Sequence, residues 1–330
     1  MLGARLRGVL LVACTAILAF ALACAPAQTE KFPSKPVIFI APGTIGGGSD
    51  VQARLAAEIV DKAGIFGTEP IAVLNKGGGG SQEAFTFLKS KKGDPHYVLT
   101  FQNSLLTYPM IGEAAYELTD FVPIANLVFD PVIMVVPTES PFKTLKDVID
   151  AAKTAPETIT AGGGGVSGPD RMGLILLQDA AGFKLNYIPF AGGGEIHRNV
   201  LGGQVQVAVG NPSDFMASVE GGKLRGLALL DTERGTSAAL KDIPTAKEQG
   251  YDVSFVAWRG WFGPAGIKES HIATLEDGFK RVTEHPDFKE KYVDRFGMRV
   301  KYMPSKEFAP FLDEQNAIYE RILKQAGVIG

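Results

Sequence analysis

Residues 37–55 read VIFIAPGTIGGGSDVQARL, and this stretch decides the fold class. It opens with an unbroken apolar run, which is typical of a strand buried on both faces of a parallel sheet. A glycine-rich loop follows at 42–48, and Ser49 or Asp50 can cap the helix that comes next. The stretch therefore predicts a strand, a loop and a helix in that order, as in a βαβ unit.

The same order recurs three times along the chain. Apolar runs at 71–74, 158–161 and 186–189 lead into glycine-rich loops at 75–80, 162–168 and 190–194, and a helix is predicted after each loop. With further strands predicted at 97–101, 131–136, 205–209 and 224–230, the pattern indicates an α/β fold of mostly parallel sheets flanked by helices. The 330 residues suffice for two domains. We place a hinge at 131–136 and predict one lobe from 28–128 and 256–330, a second lobe from 129–255, and a ligand cleft between them.

The four loops, called loop 1 (42–48), loop 2 (75–80), loop 3 (162–168) and loop 4 (190–194), share one physical property. A glycine loop that feeds a helix N-terminus exposes backbone N–H groups at the positive end of the helix dipole, where they bind anions without a basic side chain. Their number favours a ligand with more than one negative group. The alternative is that the glycines only allow tight turns with positive φ.

The first 27 residues are predicted to be a signal peptide. Arg5 and Arg7 precede an apolar run at 9–23, and Ala-Pro-Ala at 25–27 offers a cleavage site. The run is short for a membrane span, which needs about 20 residues. Residues 21–24 (ALAC) are close to a lipoprotein box, so cleavage before Cys24 with lipidation of that cysteine is the alternative. We expect an exported, periplasmic protein, with a lipid anchor at Cys24 left open.

Composition and motifs exclude several kinds of site. The formal net charge is −3 and no lysine-rich stripe occurs, which argues against nucleic-acid binding. Residues 163–168 (GGGVSG) match the dinucleotide fingerprint, but no acidic residue closes the next strand. The chain has no P-loop, G-x-S-x-G or H-E-x-x-H motif. We therefore expect no catalytic residue, metal or cofactor, and a binding protein rather than an enzyme.

Arg171 is a basic residue that directly follows a glycine loop. It falls in the first turn of the helix after loop 3, where a cation opposes the helix dipole. It could clamp a ligand carboxylate, or it could be a surface residue paired with Asp170 or Glu195. Trp258 and Trp261 could line the cleft, although packing in the core is the commoner use of such residues.

A series of segments, in order along nearly the whole mature chain, resembles the solute-binding proteins of tripartite tricarboxylate transporters, the Bug family. These segments are 32–37 (FPSKPV), 42–50, 53–54, 75–76, 188–193 (IPFAGG), 201–205 (LGGQV), 222–228 (GKLRGLA), 243–250 (IPTAKEQG) and 261–266 (WFGPAG). The resemblance implies a two-lobed type II periplasmic-binding fold that closes on a carboxylate. It also implies delivery to a membrane permease of one large and one small integral subunit.

In proteins of this family, loops in both lobes grip carboxylates through backbone N–H groups and water, which implies a site built from 42–49 and 162–168 with help from 190–194. The candidate ligand-binding residues are Gly43, Thr44, Ile45, Gly46, Gly47, Ser49, Gly79, Ser81, Ser104, Gly165, Val166, Ser167, Gly168, Arg171, Ala191, Gly192, Gly193 and Asp214. The chain departs from the family pattern at Arg171, Ala191, Asn199 and Gln206, which suggests that one cationic contact has moved to Arg171. We expect a monomer that binds a small di- or tricarboxylate or a related organic acid.

Two other functions fit the same sequence. One is an exported α/β enzyme acting on an acid, with Ser167 or Ser49 as its nucleophile, although the sequence places no histidine to activate either. The other is a ligand sensor that passes its bound state to a membrane kinase.

Overall fold

The computed structural model describes residues 32–43, 45–77, 81–235, 237 and 240–330. The predicted signal peptide and Cys24, together with Thr44 and Gly79 of the candidate site, lie outside these residues. No helix within the described ranges is long and apolar enough to cross a membrane.

The first sheet has six strands in the order β11-β4-β10-β3-β1-β2. These strands are β1 (Val37–Pro42), β2 (Ile71–Lys76), β3 (Tyr97–Gln102), β4 (Phe121–Pro131), β10 (Val256–Pro264) and β11 (Arg299–Pro304). The helices beside it are α1 (Gly48–Lys62), α2 (Gln82–Lys89), α3 (Ser104–Met110), α8 (Glu269–Glu284), α9 (Pro286–Phe288) and α10 (Ser305–Gln325). A π-helical segment, Lys289–Asp294, continues α9.

The second sheet has five strands in the order β7-β6-β8-β5-β9. These strands are β5 (Ile133–Pro137), β6 (Thr160–Gly164), β7 (Asn186–Phe190), β8 (Val207–Gly210) and β9 (Leu224–Leu229). The helices packed on it are α4 (Leu145–Thr154), α5 (Pro169–Ala181), α6 (Gly193–Leu201) and α7 (Pro212–Glu220).

The α/β class and the two sheets flanked by helices are as predicted, but the sheets are mixed rather than mostly parallel. In the first sheet, β1 pairs in parallel with β2 and β3, whereas β10 runs antiparallel to both β3 and β4. In the second sheet, β5 is antiparallel to β8 and β9, while β6 is parallel to β7 and β8. β10, by which the chain re-enters the first sheet, and β11 run against the strands of its βαβ units, whereas β4 runs with them. The prediction of mostly parallel sheets missed these reversed strands.

Two chain segments connect the sheets side by side. β4 and β5 are separated by Val132 alone, so the chain passes from the first sheet to the second at that residue. It returns at Phe255, directly before β10, and Val256 lies opposite Pro131. Leu230 links the two crossings: its N–H donates to the Val132 carbonyl at 2.8 Å, and its carbonyl accepts the Phe255 N–H at 2.5 Å. The crossings are therefore bonded into one narrow connection.

Aromatic side chains fill the core of the first sheet on both faces. Trp258 and Trp261 are fully buried, so both serve in packing. Trp261 stacks on Phe279 of α8 with ring centroids 4.5 Å apart, and Trp258 meets Phe308 of α10 edge to face at 5.5 Å. Burying two tryptophans contributes several kcal/mol of hydrophobic stabilisation and anchors β10 in the core.

Candidate functional site

Loop 1 is held in shape by Asp50, in the first turn of α1. Its buried carboxylate accepts the Gly46 N–H at 2.8 Å, the Asn75 Nδ2 at 2.8 Å and the Arg54 Nε at 3.0 Å. Burial opposes ionisation, yet the hydrogen bonds from Arg54, Gly46 and Asn75 together hold the pKa of Asp50 below its ordinary value. Asp50 thus ties loop 1 to the start of loop 2, a role that sequence reasoning assigned only to helix capping.

The amides that follow in loop 1 lie at the N-terminus of α1. Within the described ranges, no hydrogen bond is made by the N–H groups of Gly47, Gly48 or Ser49, and the N-cap Gly47 has no side chain to supply one. Unsatisfied N–H groups at a helix N-terminus attract anions. That these amides bind a ligand stays a prediction, while the Gly46 amide is already occupied by Asp50.

Arg259 lies directly beneath this helix N-terminus and was missed as a site residue. A Cβ atom placed on Gly48 would lie 2.9 Å from Nη1 and 3.1 Å from Nη2 of Arg259. The side chain is buried, and Nε and Nη2 donate to Asp130 Oδ2 at 2.8 and 2.5 Å. Burial disfavours the guanidinium charge, but the neighbouring Asp130 carboxylate raises the pKa of Arg259 above its ordinary value. Among the described residues, Nη1 has no hydrogen-bond partner.

Loop 3 comes up against the first sheet's helices from the other side of the cleft. Thr107 Oγ1 of α3 donates to the Ser167 carbonyl at 2.9 Å, and a Cβ on Gly168 would lie 4.0 Å from Ser104 Oγ. The structure therefore brings the predicted residues Ser104, Ser167 and Gly168 together. As far as the chain is described, the N–H groups of Val166, Ser167 and Gly168 have no hydrogen-bond acceptor.

Most loop glycines are required for close approach rather than for positive φ. Gly43, Gly46 and Gly165 do have positive φ. In contrast, a Cβ on Gly77 would lie 2.8 Å from the backbone of Gly43, which shows that loop 2 begins in contact with loop 1. The alternative that the glycines only allow tight turns with positive φ thus explains some of the loop glycines but not all of them.

Loop 4 is drawn against α7. Asp214, in the first turn of that helix, lies against the Cα of Gly193, leaving no room there for a side chain. The N–H of Ala191 donates to Glu195 Oε2 at 3.0 Å, so the chain itself occupies this amide. Burial raises the pKa of Asp214 to about 6, with the Asp130 charge adding to the effect. Loop 4 is therefore less open to an anion than loops 1 and 3.

The remaining predicted residues are more peripheral. Ile45 is 76% exposed and Val166 is 43% exposed, so any ligand contact they make is through backbone atoms or apolar surface. Ser81 adopts a left-handed conformation with φ of 78° at the N-cap of α2 and makes no capping bond with its side chain.

Arg171 lies in a groove of about 520 Å³ along the outer side of the edge strand β7, with Val166, Tyr187 and Val328. Its guanidinium stacks on the Tyr187 ring, 4.4 Å from the centroid. Over the ranges that the structure describes, it forms no ion pair with Asp170 or Glu195, which was the alternative from sequence. The group that lies under loop 1 is the guanidinium of Arg259.

The arrangement offers little for nucleophilic catalysis. Ser167 is 1% exposed, and its Oγ has no hydrogen-bond partner in the described part of the chain. Two Ser–His contacts occur among the described residues, Ser218 Oγ with His197 Nε2 at 2.7 Å and Ser34 Oγ with His96 Nε2 at 3.4 Å. Neither serine is one of the predicted nucleophiles, and Ser218 is buried on α7. No group of three or more metal-ligating side chains occurs among the described residues.

Replacing Asp50 by alanine is expected to loosen loop 1, because Gly46, Asn75 and Arg54 lose their shared acceptor. We expect a loss of about 1–3 kcal/mol in the free energy of unfolding, as for a buried hydrogen-bond network. Urea denaturation measures it. Asp150→Ala, at an exposed position on α4, is the control and should change stability by less than about 0.5 kcal/mol. Equal losses in the two variants would contradict the role of Asp50.

Comparisons with known proteins agree with this architecture. The model of the tripartite tricarboxylate transporter family receptor matches residues 53–328. A protein of Cupriavidus necator, described as a UPF0065 protein in the gbd 5' region, is 29% identical over 319 residues, which are 96% of this chain and 95% of the relative.

Solved structures share the fold over nearly the whole described chain. A TctC solute binding protein from Polaromonas is 26% identical, with a TM-score of 0.71 over 89% of this chain and 99% of that one. MatC from Rhodopseudomonas palustris, solved with bound malate, is 24% identical, with a TM-score of 0.76 over 88% and 100% of the chains. With these matches added to the two connected sheets and their facing loops, the chain belongs to the tripartite tricarboxylate transporter receptor family.

Proposed function

We propose that this protein is a periplasmic receptor that captures a small di- or tricarboxylate, or a related organic acid, between two lobes. The observation that carries the proposal is the set of N–H groups in loops 1 and 3 that have no acceptor among the described residues. Arg259 lies beside Gly48 of loop 1, and its charge acts on Asp170, directly after loop 3. A carboxylate is the ligand group that such amides and a guanidinium bind best. The malate held by MatC supports this ligand class.

In the proposed mechanism the lobes are 28–128 with 256–330, and 129–255, and they close about the connection at Val132 and Phe255. The ligand carboxylates take the free amides of Gly47, Gly48 and Ser49 on one side, and those of Val166, Ser167 and Gly168 on the other. Closure removes water from these hydrogen bonds, which strengthens each of them. The bound acid is then handed to a permease of one large and one small membrane subunit.

Calorimetric titration of the purified protein with malate, succinate, glutarate, adipate and citrate tests ligand capture. We expect at least one acid to bind with a dissociation constant of about 10 µM or tighter, which corresponds to about 7 kcal/mol. If none binds and none is chemically altered, receptor function is contradicted. Turnover of a bound acid would instead favour the enzyme alternative.

A substitution of Arg171, in the first turn of α5, tests whether Arg171 or Arg259 is the arginine that contacts the ligand. Because Arg171 stacks on Tyr187 in the outer groove, Arg171→Ala is expected to change the affinity for the best acid of the panel by less than about threefold, which is below 1 kcal/mol. Titration calorimetry measures it. A loss greater than tenfold would return the cationic contact to Arg171, as the sequence suggested.

Delivery and location need their own measurements. Uptake of the radiolabelled acid into proteoliposomes that contain the two permease subunits should require the loaded receptor. Uptake that is independent of the receptor would contradict delivery to the permease. The intact mass of the protein from the native cell should show a chain that begins after residue 27. A chain that begins at a lipid-modified Cys24 would instead establish the anchored form.

A further inference from the structure

Asp170 is a buried carboxyl group at the N-terminus of α5, directly after loop 3. It is 5% exposed, and its Oδ2 accepts the Gly164 N–H at 2.7 Å. Its Oδ1 is sealed from solvent and has no hydrogen-bond partner within the ranges that the structure describes. Oδ2 thus holds the loop in place through the Gly164 amide, while Oδ1 makes no hydrogen bond within the described ranges.

A second unused group belongs to the same turn. Ser167 Oγ is buried and unpartnered, three residues before Asp170, and the N–H groups of Ser167 and Gly168 have no acceptor as far as the chain is described. Buried polar atoms are rarely left unsatisfied, because each costs about 1–3 kcal/mol. Several of them around one turn therefore indicate that a ligand completes their hydrogen bonds.

Four ionisable side chains from the packed elements act on Asp170. They are Asp214 from α7, Asp130 from β4, Arg259 from β10 and Tyr187 from β7. Arg259 forms an ion pair with Asp130. The Tyr187 hydroxyl donates a hydrogen bond to the Gly165 carbonyl at 2.9 Å. Asp170 therefore has no cation of its own, while two other carboxyl groups repel its charge.

This environment favours the neutral acid. Burial, with the Asp214 charge as the next contribution and Asp130 adding to it, raises the pKa of Asp170 to about 8. A neutral carboxyl whose Oδ2 accepts an amide hydrogen carries its proton on Oδ1, which makes Oδ1 a donor. A bound carboxylate would supply the acceptor that this donor lacks.

We propose that Asp170 is a ligand-binding residue that keeps its proton and donates a hydrogen bond through Oδ1 to a carboxylate oxygen of the captured acid. The proposal rests on the receptor function proposed above and makes capture dependent on one proton. Ionised Asp170 would instead present a third carboxylate to an anionic ligand, which like-charge repulsion forbids. The affinity for the acid is therefore full while Asp170 is protonated and is lost as the pH rises through the pKa of Asp170.

The wild-type protein gives the first test, with malate as the probe, or the member of the acid panel that binds most tightly. Affinity should fall about tenfold between about pH 7.5 and pH 9. Calorimetry at about pH 8.5 in two buffers of different ionisation enthalpy should show about three-quarters of a proton taken up per malate bound. Neither measurement depends on a variant that folds. An affinity that is flat over this range, with no proton uptake, would overturn the proposal.

Matched variants separate donation from charge. Asp170→Asn keeps an acceptor for the Gly164 N–H and a donor at the other position, so its affinity at pH 7 should stay within about threefold of wild type. Its affinity should no longer fall toward about pH 9, and its proton uptake should vanish. Asp214→Asn removes the nearest repelling charge, so the fall in affinity should begin at lower pH.

The outcomes also distinguish this proposal from the receptor function. If wild type binds malate but Asp170→Asn loses binding at pH 7, Asp170 acts as an ionised acceptor and the proposal is wrong, while the receptor function stands. If wild type binds no acid of the panel at any pH, the receptor function fails first.

Discussion

Replacing Arg259 by methionine is expected to cause the largest loss of stability of any single change at the cleft. Methionine keeps much of the volume but leaves Asp130 buried without its cation, at the point where both chain crossings meet. Removing one partner of a buried ion pair costs about 3–5 kcal/mol. Urea denaturation should show this loss. Malate binding should fall by more than tenfold in the same variant, because loop 1 loses the cation beneath it.

The matched control is Arg234→Met, in the pair formed by Arg234 and Glu248, where both side chains are more than 40% exposed. Water screens that pair, so its loss should cost less than about 1 kcal/mol. The Arg259 variant should also lose less stability near pH 5 than near pH 8, since the stranded Asp130 takes up a proton. If the two substitutions lower the free energy of unfolding equally, the buried ion pair contributes no more to stability than the exposed one.

Gly168→Ala is expected to abolish most acid binding while the protein stays folded. The backbone of Gly168 has φ of −71° and ψ of 173°, which alanine adopts without strain. The added Cβ would nevertheless lie 2.5 Å from the carbonyl oxygen of Gly164, a backbone atom that cannot rotate away. Loop 3 must therefore open, and the free amides of Val166, Ser167 and Gly168 move with it.

We expect the affinity for malate to fall more than about tenfold, which is about 1.4 kcal/mol. The free energy of unfolding should fall by about 1–3 kcal/mol, as for an overpacked site. Gly192→Ala is the control, because a Cβ at Gly192 would meet no atom within 4 Å. It should change stability by less than about 0.5 kcal/mol. If calorimetry shows that the Gly168→Ala and Gly192→Ala variants bind malate with the same affinity, loop 3 does not contact the ligand.

Local signals predicted much of the architecture. The apolar run at Val37 and the glycine loop after it lie within a few residues of one another, so the order of β1 and α1 was predicted correctly. The predicted cap was wrong: the N-cap of α1 is Gly47, and Ser49 and Asp50 lie inside the helix. The helix Pro169–Ala181 follows loop 3 as predicted, since proline sets its first turn and Gly182 adopts the left-handed conformation at its end. Predictions of this kind depend only on neighbours along the chain.

Two strands were missed because tertiary contacts stabilise them against their own pattern. β4 contains Pro123, Asn126 and Asp130, which are poor strand formers. Asn126 is buried and donates to the Lys301 carbonyl of β11 at 2.7 Å. β11 is an edge strand with charged, exposed residues, so its sequence resembles the helical region around it. Pairing partners more than 100 residues away decide both strands.

The sequence by itself determined the strand–loop–helix order and the positions of the glycine loops, because these depend on short-range geometry. The ordered series of similar segments along the chain indicated the family. Only the tertiary structure decided that Arg259 and Asp130 pair beneath loop 1, with Asp170 and Asp214 close enough to act on that pair. A charged residue in an apolar strand, such as Arg259, signals that a buried partner exists. It cannot identify that partner, since the partner is brought near by the crossing of strands far apart in the chain.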